Sequence, residues 1–221
     1  MSRMDGMNAE PRSDAVIDFP ITGECLVLNP PGHSRWAFDL LPLAPGSAAV
    51  AEGGWWRYLT CRLRSSDVSG WERPVLTPLD GEVVVGHDGE PDRDRLIPWR
   101  DVPAGFLIRP LLLGKRIPAM AGNHVVLGAD GTYVLLAHLQ QGSVRVAPGK
   151  AVRARETIGL IGSSGNALGP HLHLQVMNGP DPLTARPVPF VVRRYQLWDG
   201  RRWHERNDSP LPAKSVRIRV D

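Results

Sequence analysis

The stretch Gly162-Ser-Ser-Gly-Asn-Ala-Leu-Gly-Pro-His-Leu-His-Leu-Gln-Val176 is the most informative part of this sequence. A glycine-rich loop leads into Pro170, after which polar and apolar residues alternate with a period of two. This alternation predicts a β-strand with His171, His173 and Gln175 on one face. Two imidazoles on that face would lie roughly 6.5–7 Å apart along the strand. One could bind a metal while the other contacts a water, but the pair alone is equally compatible with two ordinary half-buried histidines.

The 221 residues have the composition of an ordinary globular protein, with 42% hydrophobic and 22% charged residues. The 23 glycines and 21 prolines favour many short strands separated by turns over long helices. Net charge is only +3 and no aromatic-basic motif is present, so we exclude nucleic-acid binding. No run of about 18 apolar residues exists, so no membrane span is expected. Cys25 and Cys61 could pair or remain thiols.

The distribution of polar and turn-forming residues predicts a disordered tail over residues 1–14 and a single domain over 15–221. Within the domain, residues 44–70 are predicted to be an insertion or excursion, which holds a short helix or covers one side of the site. Residues 177–221 are predicted to supply closing C-terminal strands. The N-terminal segment lacks the apolar core of a secretory signal, so we expect a soluble protein without an export address.

The predicted fold is mainly β, an antiparallel sheet or sandwich of short strands with long loops. Its strands are expected at 15–19, 25–28, 34–43, 122–127, 132–139, 143–146, 151–154, 157–161, 190–198 and 216–220, and residues 75–85 are expected to form a turn that leads into a strand. The Asp130-Gly131 pair is typical of a hairpin turn and should join two of them. Alternation in the second of those strands places His138 on one face with Val134 and Leu136, a polar group on an apolar stripe.

Five side chains have the chemistry of a catalytic zinc site, and each lies on or beside a predicted strand: His33, Asp39, His138, His171 and His173. Such a site needs three protein ligands of the N or O type and one open position. Asp39 lies among apolar residues, where an unpaired carboxylate is costly, so it needs a partner. The sequence contains no His-Glu-x-x-His helix and no G-x-S-x-G motif, which excludes the commonest metalloprotease and serine-hydrolase signatures.

Four segments in order resemble the lysostaphin-type (LytM-like) zinc metalloendopeptidases. They are Gly122-Asn-His-Val-Val-Leu127, Tyr133-Val-Leu-Leu-Ala-His-Leu139, Ile158-Gly-Leu-Ile-Gly-Ser-Ser-Gly165 and Gly169-Pro-His-Leu-His-Leu-Gln-Val176. Their order is more specific than any one segment, and the match extends over residues 33–176. The resemblance implies a lysostaphin-type β-fold related to the duplicated hybrid motif. It also implies a peptidoglycan peptide, or another peptide rich in small residues, as the substrate.

The resemblance further implies that zinc is the cofactor and that His173 is one of its ligands. In that family the remaining ligands come from an upstream His-x-x-x-Asp. This sequence offers His33 and Asp39 instead, with five residues between them. Six fully extended residues span about 20 Å, so residues 34–36 must loop back for both groups to reach one ion.

The same resemblance makes His138 and His171 the catalytic histidines. One would accept a proton from a zinc-activated water and the other would stabilise the tetrahedral oxyanion, with the assignment between them open. Gln175 could orient a histidine from the same face.

Two other functions are compatible with the sequence. A lysostaphin-like binding or regulatory module without activity would activate a separate cell-wall hydrolase, and its metal content would distinguish it from the enzyme. A sugar-phosphotransfer carrier also brings two histidines together, but Asp39 would have no role there. The remaining histidines, His87, His124 and His204, are expected to be structural or solvated. The family usually acts in the cell envelope or outside the cell, in contrast to the missing export signal.

Overall fold

The computed structural model describes residues 15–30, 33–51, 54–103 and 116–221, and these are mainly β. The predicted fold class is confirmed, while the predicted tail over 1–14 lies outside the described residues. The strands are β1 (Ala15–Ile17), β2 (Gly23–Leu28), β3 (Ala37–Pro42), β4 (Pro74–Leu76), β5 (Gly81–His87), β6 (Asn123–Ala129), β7 (Thr132–Leu139), β8 (Ala151–Val152), β9 (Thr157–Leu160), β10 (Leu172–Met177), β11 (Phe190–Trp198), β12 (Trp203–Ser209) and β13 (Val216–Val220). The helices are α1 (Gly54–Leu59), α2 (Pro98–Pro103) and α3 (Ile117–Ala121).

Most of these strands belong to one 11-stranded sheet with the order β1-β11-β13-β2-β3-β10-β7-β6-β5-β8, and β12 pairs with β11. The paired strands are antiparallel, as predicted, except that β1 runs parallel to β11. Strands β4 and β9 form a separate two-stranded sheet. Their Val75 and Ile158 are fully buried in the main core, so the small sheet packs on the large one.

The main core lies against one face of the large sheet, and the candidate site lies on the other. On β10, Leu172, Leu174 and Val176 are fully buried in the main core. Between them, His173 and Gln175 are only partly buried and point to the opposite face. The predicted two-residue alternation is therefore confirmed. The Asp130-Gly131 hairpin is confirmed as well, since both residues have the positive φ that such a turn requires.

Three predicted details of the strands were wrong. Residues 143–146 form a loop, held by backbone hydrogen bonds such as that from the Arg145 N–H to the Ile158 carbonyl at 2.9 Å. The strand expected at 151–154 shortens to β8. Strand β12 was missed because its Glu205-Arg206-Asn207-Asp208 run is polar on both faces. That run is exposed and gains its strand conformation by pairing with β11.

The excursion over residues 44–70 contains α1 and a 3-10 helix at Ser65–Asp67. It ends at Gly70, where an added Cβ would lie 3.1 Å from the Pro170 carbonyl oxygen. The excursion thus reaches the loop that precedes His171. The closing strands β11 and β13 join the same large sheet, while the division into one domain over 15–221 stays a prediction. No helix among the described residues is long and apolar enough to span a membrane.

Candidate metal centre

Strand register brings Asp39 and His173 together. The two residues are directly opposed in the antiparallel pair of β3 and β10, so their side chains emerge from the same face of the sheet. The His173 Nδ1 lies 2.9 Å from the Asp39 Oδ1 and forms a hydrogen bond with it. This contact supplies the partner that the partly buried carboxylate was expected to need.

A turn before β3 brings His33 to the same carboxylate. The Ala37 N–H donates to the Ser34 carbonyl at 3.2 Å, and the Asn29 side-chain amide donates to the carbonyls of Ser34 and Ala37, each at 2.7 Å. The chain therefore loops back over residues 34–36, as the sequence required. As a result, the His33 Nε2 lies 3.6 Å from the Asp39 Oδ1.

The donor atoms of His33, Asp39 and His173 fit a tetrahedral zinc ion. All three lie within 4.8 Å of one another. Two ligands on one tetrahedral zinc would be about 3.4 Å apart, given bond lengths of about 2.0–2.1 Å. The observed separations from the Asp39 Oδ1, 2.9 Å to His173 and 3.6 Å to His33, lie on either side of that value. Small side-chain adjustments would accommodate the ion.

A β-bulge directs His138 toward the site. In the pairing of β6 with β7, Asn123 opposes Leu139 and His124 opposes Ala137, so His138 is an extra residue without an opposite partner. Its φ of +65° is unusual for a residue other than glycine. The prediction that His138 shares the face of Val134 and Leu136 was therefore wrong. The bulge changes its direction, and its ring centroid lies 4.7 Å from that of His171 and 6.1 Å from that of His173.

Backbone carbonyls fix the tautomers of both candidate catalytic histidines. The Nδ1 of His138 is 3.0 Å from the Ser164 carbonyl oxygen, and the Nδ1 of His171 is 2.8 Å from the Gly169 carbonyl oxygen. Because a carbonyl only accepts, each Nδ1 must carry the proton. The Nε2 atoms are then left for chemistry, and that of His171 lies 3.6 Å from the Asp39 Oδ1.

Burial and neighbouring charges shift the pKa values of His138, His171 and Asp39 in different directions. Burial, reinforced by repulsion from His171 and His173, lowers the pKa of His138 well below its ordinary value. Burial also opposes protonation of His171, but the charge and hydrogen bonding of Asp39 outweigh it and raise its pKa. For Asp39 itself, burial would raise the pKa, and His171 and His173 outweigh that effect and lower it. Asp39 is therefore ionised at neutral pH.

The loop that holds His138 is itself locked by buried polar residues. The Ser164 hydroxyl donates to the Leu139 carbonyl at 2.7 Å and accepts the Asn123 N–H at 3.0 Å. The Asn123 amide also donates to the Leu139 carbonyl, at 3.1 Å. Gly122 is needed here because an added Cβ would lie 2.7 Å from the Gly165 nitrogen.

Three residues that support the site were not predicted from residue type and spacing: Asn29, Asn123 and Ser164. The latter two lie within the Gly-Asn and Ser-Ser-Gly segments that carry the family resemblance, which was the available signal for them. Asn29 follows β2 directly, before two prolines, which is typical of a turn. Gln175, expected to orient a histidine, shows no such hydrogen bond among the described residues.

Two histidines outside the candidate site, His87 and His124, form a pair on the same sheet face. Successive strand pairings align Asp39, His173, Ala137, His124 and His87 in one row across β3, β10, β7, β6 and β5. The rings of His87 and His124 are 5.4 Å apart.

The comparison with known families covers the downstream part of the candidate site. Residues 113–185 match the family model for peptidase family M23. The family resemblance seen in the sequence is confirmed. This match contains His138, His171 and His173, whereas His33 and Asp39 lie upstream of it.

Solved structures with similarity to this chain include three M23-type or zinc peptidases. A mutant of the catalytic domain of the prophage-encoded M23 protein EnpA from Enterococcus faecalis has 16% identity and a TM-score of 0.41, covering 81% of this chain and 91% of that one. The catalytic domain of lysostaphin from Staphylococcus simulans has 16% identity and a TM-score of 0.39, covering 77% and 86%. A zinc-containing peptidase from Vibrio cholerae has 18% identity and a TM-score of 0.36, covering 78% and 35%, so this chain spans about a third of its length.

Proposed function

We propose that this protein is a zinc metalloendopeptidase in which His33, Asp39 and His173 hold the metal. The observation that carries the proposal is the convergence of three donor atoms of the types zinc prefers on one point. Two neutral imidazoles and one carboxylate would leave the site with a net charge of +1 and an open position. Zinc bound there would lower the pKa of a water to about 7 and polarise a peptide carbonyl.

The chain's own histidines would move the protons. We assign proton acceptance to the Nε2 of His138, because its Nδ1–H is committed to the Ser164 carbonyl and burial keeps the ring neutral. His171 lies beside Asp39, which favours its protonated form, so its Nε2–H can donate to the developing oxyanion. The 4.7 Å ring separation lets both histidines act on one peptide group. Protonated His138 then donates to the leaving amine.

The proposed substrate is a peptide of peptidoglycan, either a stem or a cross-bridge. Support for this comes from the M23 family match over residues 113–185.

Metal analysis combined with a peptidoglycan-release assay tests the proposal. We expect about one zinc per chain, loss of cleavage after chelation and recovery on adding zinc. Asp39→Asn should keep the side-chain shape but remove the anionic ligand, and so weaken zinc binding. The exposed Asp208→Asn, on β12 and away from the site, is the matched control.

Three results would contradict this function. Unchanged cleavage after chelation would contradict the metal mechanism. Bound zinc without any cleavage of peptidoglycan or of glycine-rich peptides would favour an inactive regulatory module. Equal zinc affinity in Asp39→Asn and the wild type would remove Asp39 from the ligand set.

A further inference from the structure

Strand β11 changes its pairing partner along its length, and this leaves a cleft in the sheet. Val192 pairs with Ile17 of β1, whereas Gln196 pairs with Arg219 of β13. Over residues 193–195 the described strands give β11 no partner on that side. A cleft of about 300 Å³ opens at this point, distant in the strand order from the β3–β10 pair that carries the metal centre.

Arginines dominate the charged lining of this cleft. The lining contains four arginines and two aspartates: Arg155, Arg193, Arg194, Arg219, Asp18 and Asp221. The guanidinium groups come from three separate parts of the chain, namely the turn between β8 and β9, strand β11 and strand β13. The two aspartates offset two of the four positive charges, and Glu205, whose Oε1 lies 2.9 Å from the Arg194 Nε at the edge of the cleft, offsets part of a third.

Several of these arginines are held in place by neighbouring groups. The Arg155 Nη2 donates to the Asp221 carbonyl at 3.0 Å, and the Arg193 Nε lies 3.4 Å from the Asp18 Oδ1. Arg219 donates from Nε and Nη2 to the Gln196 Oε1, at 3.0 and 2.6 Å. Since a guanidinium carries five N–H donors, these bonds leave further donors at each group.

The C-terminal segment that surrounds the cleft also carries an excess of positive charge. Residues 190–221 contain eight basic and four acidic residues, and this surplus of four exceeds the +3 of the whole chain. The rest of the protein is therefore close to neutral, and the excess positive charge is concentrated on the strands that border the cleft.

We propose that this cleft is a binding site for a phosphate-type anion, separate from the metal centre. Arginine forks match phosphate oxygens with paired N–H donors, and charge-assisted bonds of this kind are about twice as strong as neutral ones. A bound anion would offset the positive charge that remains on the lining. The phosphate group can belong to a free ion or to an anionic polymer.

Calorimetric titration with inorganic phosphate tests the site. We expect saturable binding to the wild type that Arg155→Gln and Arg193→Gln each weaken by about tenfold or more, as expected for the loss of a charge-assisted bond. The control is Arg202→Gln, which removes the same charge from the exposed β11–β12 turn outside the cleft. It should bind phosphate as the wild type does. Thermal unfolding and zinc content, measured for all variants, would show that each is folded.

A second titration with long-chain polyphosphate identifies the source of the phosphate group. Tighter binding of the polymer, still reduced by Arg155→Gln more than by Arg202→Gln, would indicate a polymer-bound phosphate. Equal binding of both ligands per phosphate group would indicate the free ion. Absence of saturable phosphate binding, or equal losses in the lining variants and in Arg202→Gln, would overturn the proposal in favour of a diffuse basic surface.

Discussion

Two histidine pairs lie on one side of the large sheet: the first is His33 with His173, and the second is His87 with His124. They differ in how many imidazoles surround the neighbouring carboxylate. The ring centroids of His33 and His173 are 5.1 Å apart, and those of His87 and His124 are 5.4 Å apart, so ring proximity does not distinguish the pairs. The pairs differ in the carboxylate beside them, Asp39 for the first and Glu90 for the second. The Asp39 Oδ1 lies within 3.6 Å of three imidazole nitrogens, whereas the Glu90 Oε1 lies 3.6 Å from the Nε2 of His87.

The second pair is held by the backbone instead. The Nδ1 of His124 lies 2.7 Å from the Gly122 carbonyl, and the residue is almost fully buried. Among the described residues, the compact group of potential metal ligands consists of His33, Asp39 and His173 and does not include His87 or His124. A carboxylate in strand register with a histidine is therefore what separates a candidate metal centre from a structural pair.

The largest expected effect is on zinc binding. His173→Ala removes a proposed ligand, and we expect a loss of zinc affinity beyond the 10- to 100-fold that outer-shell changes typically cause. Its matched variant, His124→Ala, removes a histidine from the same row of the sheet and should keep about one zinc per chain. Zinc content by metal analysis and affinity by competition with a chelator measure both. Equal zinc loss in the two variants would mean that the pairs do not differ in the way proposed.

The second effect separates catalysis from metal binding at the candidate metal centre. His138→Ala should lower kcat by about 10²- to 10⁴-fold, the usual contribution of a general base, while zinc remains bound. Steady-state cleavage of a peptidoglycan peptide and metal analysis on the same sample test this. Loss of zinc together with activity would instead make His138 a ligand.

The sequence predicted which side chains lie close together better than it predicted how each one is oriented. Alternation placed His173 correctly relative to the core, because a regular strand has a fixed period. It failed for His138, since a bulge depends on the pairing between β6 and β7 and leaves no local pattern. The family resemblance, not the alternation, identified that residue.

In the upstream part of the site, too, contacts between residues distant in the sequence determine the structure. The spacing of His33 and Asp39 required a turn, and the structure contains one, but the Asn29 amide that holds it acts across eight residues. Strand β12 was missed for a related reason, because its polar run becomes a strand only by pairing with β11. Long-range pairing thus supplied what residue type and spacing did not.

A smaller effect is expected from the loop that positions His138. Two adjacent serines there are fully buried, but only the Ser164 hydroxyl is hydrogen-bonded, while the Ser163 hydroxyl has no partner among the described residues. Ser164→Ala leaves the Asn123 N–H without an acceptor and should lower the free energy of unfolding by about 1–3 kcal/mol. Ser163→Ala removes an unsatisfied group and should be neutral or stabilising. Urea unfolding measures both, and equal losses would contradict the role given to the bonded hydroxyl.

The smallest effect is expected within the second histidine pair itself. His87 is about one-third exposed and its Nε2 forms no hydrogen bond among the described residues, so His87→Ala should change the free energy of unfolding by no more than about 0.5 kcal/mol. His124→Ala should cost about 1–3 kcal/mol, because the buried Gly122 carbonyl loses its donor. Both variants should keep zinc and activity. Were His87→Ala to lower zinc affinity, the row of histidines would act as one extended site, and the distinction between the two pairs would fail.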